Sequence, residues 1–201
     1  MNEVSRGLLA AAVLLLPALS MAQSKEPTRP SKSGFDYTYL EIGYDKHDFD
    51  VPDTSNHIDG DALRFAGSFE LKDRWHLYGS YESANLDFGI DLDRWMVGLG
   101  YSYPIKKDID LYGRVLYVDT RADFGNTTSS DDGLGFQFRA RGRVNDKIEV
   151  EGGLQYLDVV RSDTSLQASV RYYFTRAFSA GVGITFGGDE DGLGINARFN
   201  F

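Results

Sequence analysis

The 201-residue chain is long enough for one domain with a sizeable buried interior. It has no cysteine, which excludes a disulfide scaffold, a thiolate metal centre, a cysteine nucleophile and a lipid-modified N-terminal cysteine. Its formal net charge of −9 repels phosphate and so argues against a nucleic-acid partner, while 22 glycines and 13% aromatics with only five prolines suit short, closely packed strands.

Arg6 precedes an apolar run over residues 7–19, too short to cross a bilayer as a helix. Ser20 and Ala22 place small residues where signal peptidase reads them, so residues 1–22 are expected to be a signal peptide cleaved after Ala22. Residues 23–34 are rich in Pro, Ser and charge and are expected to form a flexible leader. A single domain is expected over residues 35–201.

From residue 37 one unit repeats: an alternating segment of about ten residues, the length of a tilted membrane strand, followed by a turn or loop. Period two puts one set of side chains on each face. The first segment, residues 37–46, sets Leu40, Ile42 and Tyr44 against Glu41, Gly43 and Asp45. The second, 61–71, sets Leu63, Phe65, Phe69 and Leu71 against Arg64, Ala66, Ser68 and Glu70. The third starts at Trp75, with His76, Tyr78, Ser80 and Glu82 on the polar face. The fourth carries Trp95, Val97, Leu99, Tyr101 and Tyr103 outward and is expected to break at Pro104. The fifth has Leu111, Val115 and Tyr117 outward, and the sixth turns Gln137, Arg139, Arg141 and Arg143 inward. The seventh turns in Glu149, Glu151 and Gln155, and the eighth Gln167, Ser169, Arg171 and Tyr173. The ninth runs from Phe178 to Phe186, and the tenth sets Leu193, Ile195, Ala197, Phe199 and Phe201 against Gly194, Asn196, Arg198 and Asn200. No segment has a helical period and no helix is needed.

The connections alternate in length. Residues 72–74, 104–108, 145–147 and 175–177 are short turns; 47–60, 84–93, 119–131, 159–163 and 187–192 are longer loops. Short turns on one side and longer loops on the other is the pattern of an outer-membrane barrel.

The alternating final segment, ending on Phe201, together with this pattern and the signal peptide, resembles the small OmpA/OmpX-like outer-membrane β-barrels of Gram-negative bacteria. The expected fold is all-β: a closed, antiparallel, up-and-down transmembrane barrel of about ten strands, with eight as the alternative since that class is typically eight-stranded. The resemblance implies outer-membrane lipid and lipopolysaccharide as surroundings, recognition of the terminal strand by the barrel-assembly machinery, a periplasmic leader and a monomer. Trp75, Trp95, Tyr101, Tyr103, Tyr172, Phe174, Phe178, Phe199 and Phe201 are expected to form the aromatic girdles, which need rings at two depths.

Function would then lie in the inward face. Folding each hairpin about its short turn puts Arg143 opposite Glu149, Arg141 opposite Glu151, Arg64 opposite Glu82, and Glu70 opposite His76. Opposite charges across a ladder attract, and a lumen filled with Arg, Tyr and Gln leaves little room in a barrel of this size. The expectation is a largely plugged polar lumen and a structural or surface-contact role through acidic outer loops, the alternative being a narrow channel for ions or small solutes. Gly98, Gly100, Gly181 and Gly183 point inward and would leave a void along one wall. His47 and His57 lie among Asp45, Asp48, Asp50, Asp53, Asp59 and Asp61, a set able to attract a divalent cation. Acid-rich loops are ordinarily solvated, however, so no metal site, cofactor or catalytic residue is assigned.

Overall fold

A computed structural model describes residues 33–50, 57–72, 74–159, 161–188 and 190–201. The signal peptide and the leader up to residue 32 lie outside the described residues. Ten strands form: β1 (Tyr39–Asp50), β2 (His57–Glu70), β3 (Trp75–Leu86), β4 (Ile90–Lys106), β5 (Ile109–Asp123), β6 (Thr128–Asn145), β7 (Ile148–Val159), β8 (Arg161–Tyr173), β9 (Phe178–Phe186) and β10 (Glu190–Asn200). Each is antiparallel to its chain neighbours, and β1 pairs with β10 from Tyr39↔Asn200 to Phe49↔Glu190, closing the sheet. All ten expected segments are strands, so the eight-strand alternative is set aside. Closure removes every open edge, the condition for placing a sheet in hydrocarbon.

The barrel is apolar outside and polar inside. Leu40, Phe65, Trp95, Val115, Phe138 and Val182 face outward and are exposed, while Glu41, His76, Arg114, Arg141, Glu149 and Arg171 are buried within. The lumen has two tones. Two patches are apolar, one where Ala66, Tyr78, Met96, Leu116 and Val118 pack together and one of Phe35, Tyr37 and Tyr112; between them buried arginines and carboxylates dominate.

Three local expectations change. The strands run well past the predicted loop boundaries: β1 and β2 remain paired to Asp50↔His57, and β5 and β6 to Asp123↔Thr128. These Asp-rich stretches read as loops, but beyond the membrane both faces of a strand can be wet, and a ladder there tolerates acids. Next, Pro104 does not end β4; the strand passes through it to Lys106, absorbing it in a register shift between Pro104 and Lys106. A second shift between Arg143 and Asn145 places Asn145 opposite Ile148 and leaves Val144 outside the register. Finally, a single 3-10 turn (Asp87–Gly89) links β3 to β4 where no helix was expected, with Gly89 at φ 71°. The β2–β3 turn ends on Arg74 at φ 77°, a left-handed backbone that its carbonyl stabilises by accepting Ser102 N at 3.0 Å.

The aromatics expected as girdles face outward, but all except Trp95 cluster at the short-turn end. There Trp75 meets Tyr101 edge-on at 5.1 Å, Phe174 stacks on Phe178 at 5.6 Å, and Phe199 meets Phe201 at 5.1 Å. The ring at the other end is built by Trp95 with residues the expectation omitted: Tyr81 lies 4.4 Å from Trp95, and Tyr156 6.3 Å from Phe136.

The two faces make opposite demands on a charge. Leu99→Arg or Val182→Arg, each on the exposed outer face at mid-strand, should lower stability by about 2–4 kcal/mol in a bilayer. Thr185→Arg, beside the lumen cavity, should cost less than half as much. Heat-modifiable gel mobility of the three variants measures this, and equal losses would contradict the assignment of faces.

Candidate functional site

The inward side chains form one connected ionic belt. Its centre is Glu41 on β1. Arg198, directly opposite on β10, donates to Glu41 Oε2 at 2.8 Å. Arg171 of β8 donates to the same oxygen at 2.8 Å, reaching across β9 and β10. Arg64 of β2 lies 3.5 Å from Glu41 and 3.0 Å from Asp45. The chain continues from Arg171 to Glu149 at 3.0 Å, and from Glu149 to Arg141 at 2.8 Å. Gly43 makes part of this possible, because a Cβ there would sit only 3.1 Å from the Arg64 guanidinium. Buried charges cost heavily unless paired and hydrogen-bonded; here each guanidinium meets at least one carboxylate, and Tyr173 adds an O–H bond to Glu149 at 2.9 Å.

Below the belt, at the short-turn end, the segment preceding β1 enters the barrel. Phe35 and Tyr37 are 4% and 2% exposed. The Tyr37 ring stacks on His76 at 4.8 Å and meets Tyr112 edge-on at 5.7 Å, and its hydroxyl donates to Asp110 at 3.2 Å. Ser33, counted in the leader by composition, donates to the same Asp110 carboxylate. Arg141 donates to the Asp36 carbonyl at 3.1 Å and lies over both rings, 4.8 Å from that of Phe35 and 5.3 Å from that of Tyr37. The strap is therefore held by π-contacts, a cation and a shared carboxylate rather than by a ladder.

On the other side of the belt the lumen holds a cavity of about 130 Å³, bordered by Arg64, Arg94, Arg139, Glu82, His47 and Gly183. Gly183 has only ordinary contacts, so the expected void persists there. At Gly98 and Gly100 it does not: Leu116 leans over the first, and His76 and Arg114 over the second, in space a Cβ would need. Arg114 is a fully inward guanidinium with neutral partners, donating at 3.2 Å to His76, Gln137 and Tyr39 and lying 4.1 Å from the Tyr78 ring.

The ladder registers expected from the hairpins are present: Arg143↔Glu149, Arg141↔Glu151, Arg64↔Glu82 and Glu70↔His76. The side chains nevertheless pair elsewhere. Arg141 takes Glu149, and Glu151 takes Arg139 at 2.9 Å, each one diagonal step along the ladder. Arg143 turns to the Phe35 ring at 4.9 Å. Glu82 pairs with Arg94 at 3.4 Å. His76 turns to Tyr37, and the Glu70 backbone N–H donates to Thr38. Long side chains reach diagonal neighbours about 7–8 Å away, so facing positions need not touch. Glu41, Arg171 and Arg198 were readable as inward by parity; their shared contact was not. His47 proves to lie on β1 inside the barrel, not in a loop, beside Asp45 and Glu82. The side chains of Asp50 and His57, and all of Asp53, lie outside the described residues.

The strap predicts a graded response. Tyr37→Ala removes a buried ring and should cost about 3–5 kcal/mol, whereas Tyr37→Phe loses one hydrogen bond and should cost about 1 kcal/mol. Thermal unfolding of both variants checks this; equal losses would mean that the ring contacts do not hold the strap.

A family model for the outer membrane protein beta-barrel domain matches residues 8–186. No curated protein matches the chain. Among solved structures, a KdgM porin in complex with disordered oligogalacturonate is 5% identical with a TM-score of 0.48, over 81% of this chain and 99% of that one. Neisserial surface protein A is 12% identical, TM-score 0.44, over 81% and 96%. Ail, the attachment invasion locus protein of Yersinia pestis, in complex with the heparin analogue sucrose octasulfate, is 17% identical, TM-score 0.42, over 81% and 97%.

Proposed function

Since the chain belongs to the outer membrane β-barrel family and resides in that membrane, we propose that it is a closed envelope barrel, structural or surface-contacting, that works through its acidic outer rim. The observation that carries this reading is the double obstruction of the lumen. The Glu41–Arg171–Glu149–Arg141 belt crosses it, and the Phe35–Tyr37 strap fills its periplasmic mouth. The rim is the outer end of the strands themselves, where Asp59, Asp61, Asp91, Asp131 and Asp132 project into solvent. Such a rim suits contact with lipopolysaccharide through bridging cations, or with a basic partner surface. The reading makes the chain a monomer, exported by residues 1–22, assembled through its terminal strand and without a catalytic role. A narrow channel is the second reading, favoured by the cavity beside Gly183.

Planar-bilayer recording separates the two. The wild-type barrel should be silent. Glu149→Ala with Glu151→Ala leaves Arg141, Arg139 and Arg171 without these carboxylates, and should destabilise the barrel by about 3–5 kcal/mol while conductance stays at zero. A stable double variant carrying anion current would establish the channel instead.

A further inference from the structure

We propose that Asp45, His47 and Glu82 form a divalent-cation site, of the zinc or manganese class, at the outer mouth of the lumen. One donor atom from each of the three lies within 4.8 Å of the others. They come from β1 and β3, and the strand between them, β2, presents Ala62 at this level, opposite Asp45 and Ala84. Both alanines are 1% exposed, because the longer side chains close over them. On the other flank β10 presents only Gly192 and Gly194, and a Cβ at Gly194 would strike the Asp45 carboxylate. Small residues on both sides thus leave room for the three donors to converge.

The donor set is one imidazole nitrogen and two carboxylates, without thiolate, which suits borderline and hard divalent ions. Unlike the rim acids, His47 and Glu82 are 8% and 7% exposed, so these two donors are already desolvated and confined. An ion with bonds of about 2.0–2.2 Å needs donors about 3.4 Å apart, a contraction that a swing of the Glu82 side chain supplies. Arg64 engages one oxygen of Asp45 at 3.0 Å, and Arg94 one oxygen of Glu82 at 3.4 Å. These contacts stabilise the two carboxylates when no ion is bound, and the ion competes with the arginines for them.

A second observation, independent of the donors, points the same way. The strand ends around this mouth carry Asp48, Asp59, Asp61, Asp91, Asp93 and Asp191. A low-dielectric opening lined by one sign of charge raises the local concentration of the opposite ion. Cations gathered by the rim meet the His47 imidazole directly inside it, and the belt beneath stops them there.

Zinc chloride titrated into the full folded barrel, followed by thermal unfolding, tests this. The expected result is a saturable rise in Tm, absent with magnesium. His47→Gln should weaken the apparent zinc affinity about tenfold or more, while Asp59→Asn with Asp61→Asn, which only thins the cation-gathering rim, should weaken it by no more than about twofold. An equal zinc response in wild type and His47→Gln, or none in wild type, would overturn the site. Pulsed EPR of manganese bound to the wild-type protein provides a readout independent of folding in the variants: one histidine nitrogen must couple to the ion, and a spectrum showing only oxygen ligands refutes the assignment.

Discussion

Glu41 is the carboxylate on which the interior depends. Three guanidiniums, from β2, β8 and β10, converge on it within 3.5 Å. It thereby ties the strands on both sides of the β1–β10 closure to β8, three strands round the barrel from β1. A barrel cannot build an apolar core when its apolar residues face lipid, so a polar network must fill the space instead. Such a network is stable only when its charges are satisfied together. Removing one carboxylate orphans several cations at once, so the network's members stabilise one another cooperatively.

The strap extends the same logic to the mouth at the short-turn end. Arg141 belongs to the belt through Glu149, yet it also holds the Asp36 carbonyl and covers Phe35 and Tyr37. Belt and strap are therefore one structure, with Arg141 as the joint. On the outer side the belt ends at Arg64 and Asp45, where the cavity begins. Side chains thus fill the lumen at the short-turn end, and the cavity lies on the other side of the belt.

Much of this was legible in the sequence, because period-two alternation and short turns are local. Alternation assigned Leu40 outward and Glu41 inward, and folding about residues 145–147 put Arg141 opposite Glu151. What alternation cannot convey is contact across the lumen: Arg171 and Glu41 are 130 residues apart and share no ladder. Nor does it distinguish a paired strand from an extended strap, so Tyr37 read as the start of the first strand although it binds a lumen formed elsewhere. The outer strand ends were misread for a third reason. Aspartate signals a loop only where one face must be apolar, and at Asp123 or Asp131 neither face is in lipid. His47 followed from that same error, since a residue assigned to a loop has no inward face to be read.

The most direct test of the account is equilibrium unfolding of Glu41→Gln in lipid vesicles with urea. Glutamine keeps the volume and removes the charge, leaving Arg64, Arg171 and Arg198 around a neutral group. The expected loss is about 3–5 kcal/mol. A loss below about 1 kcal/mol, the scale of a solvated ion pair, would contradict it and mean that water, not this carboxylate, holds the arginines in place.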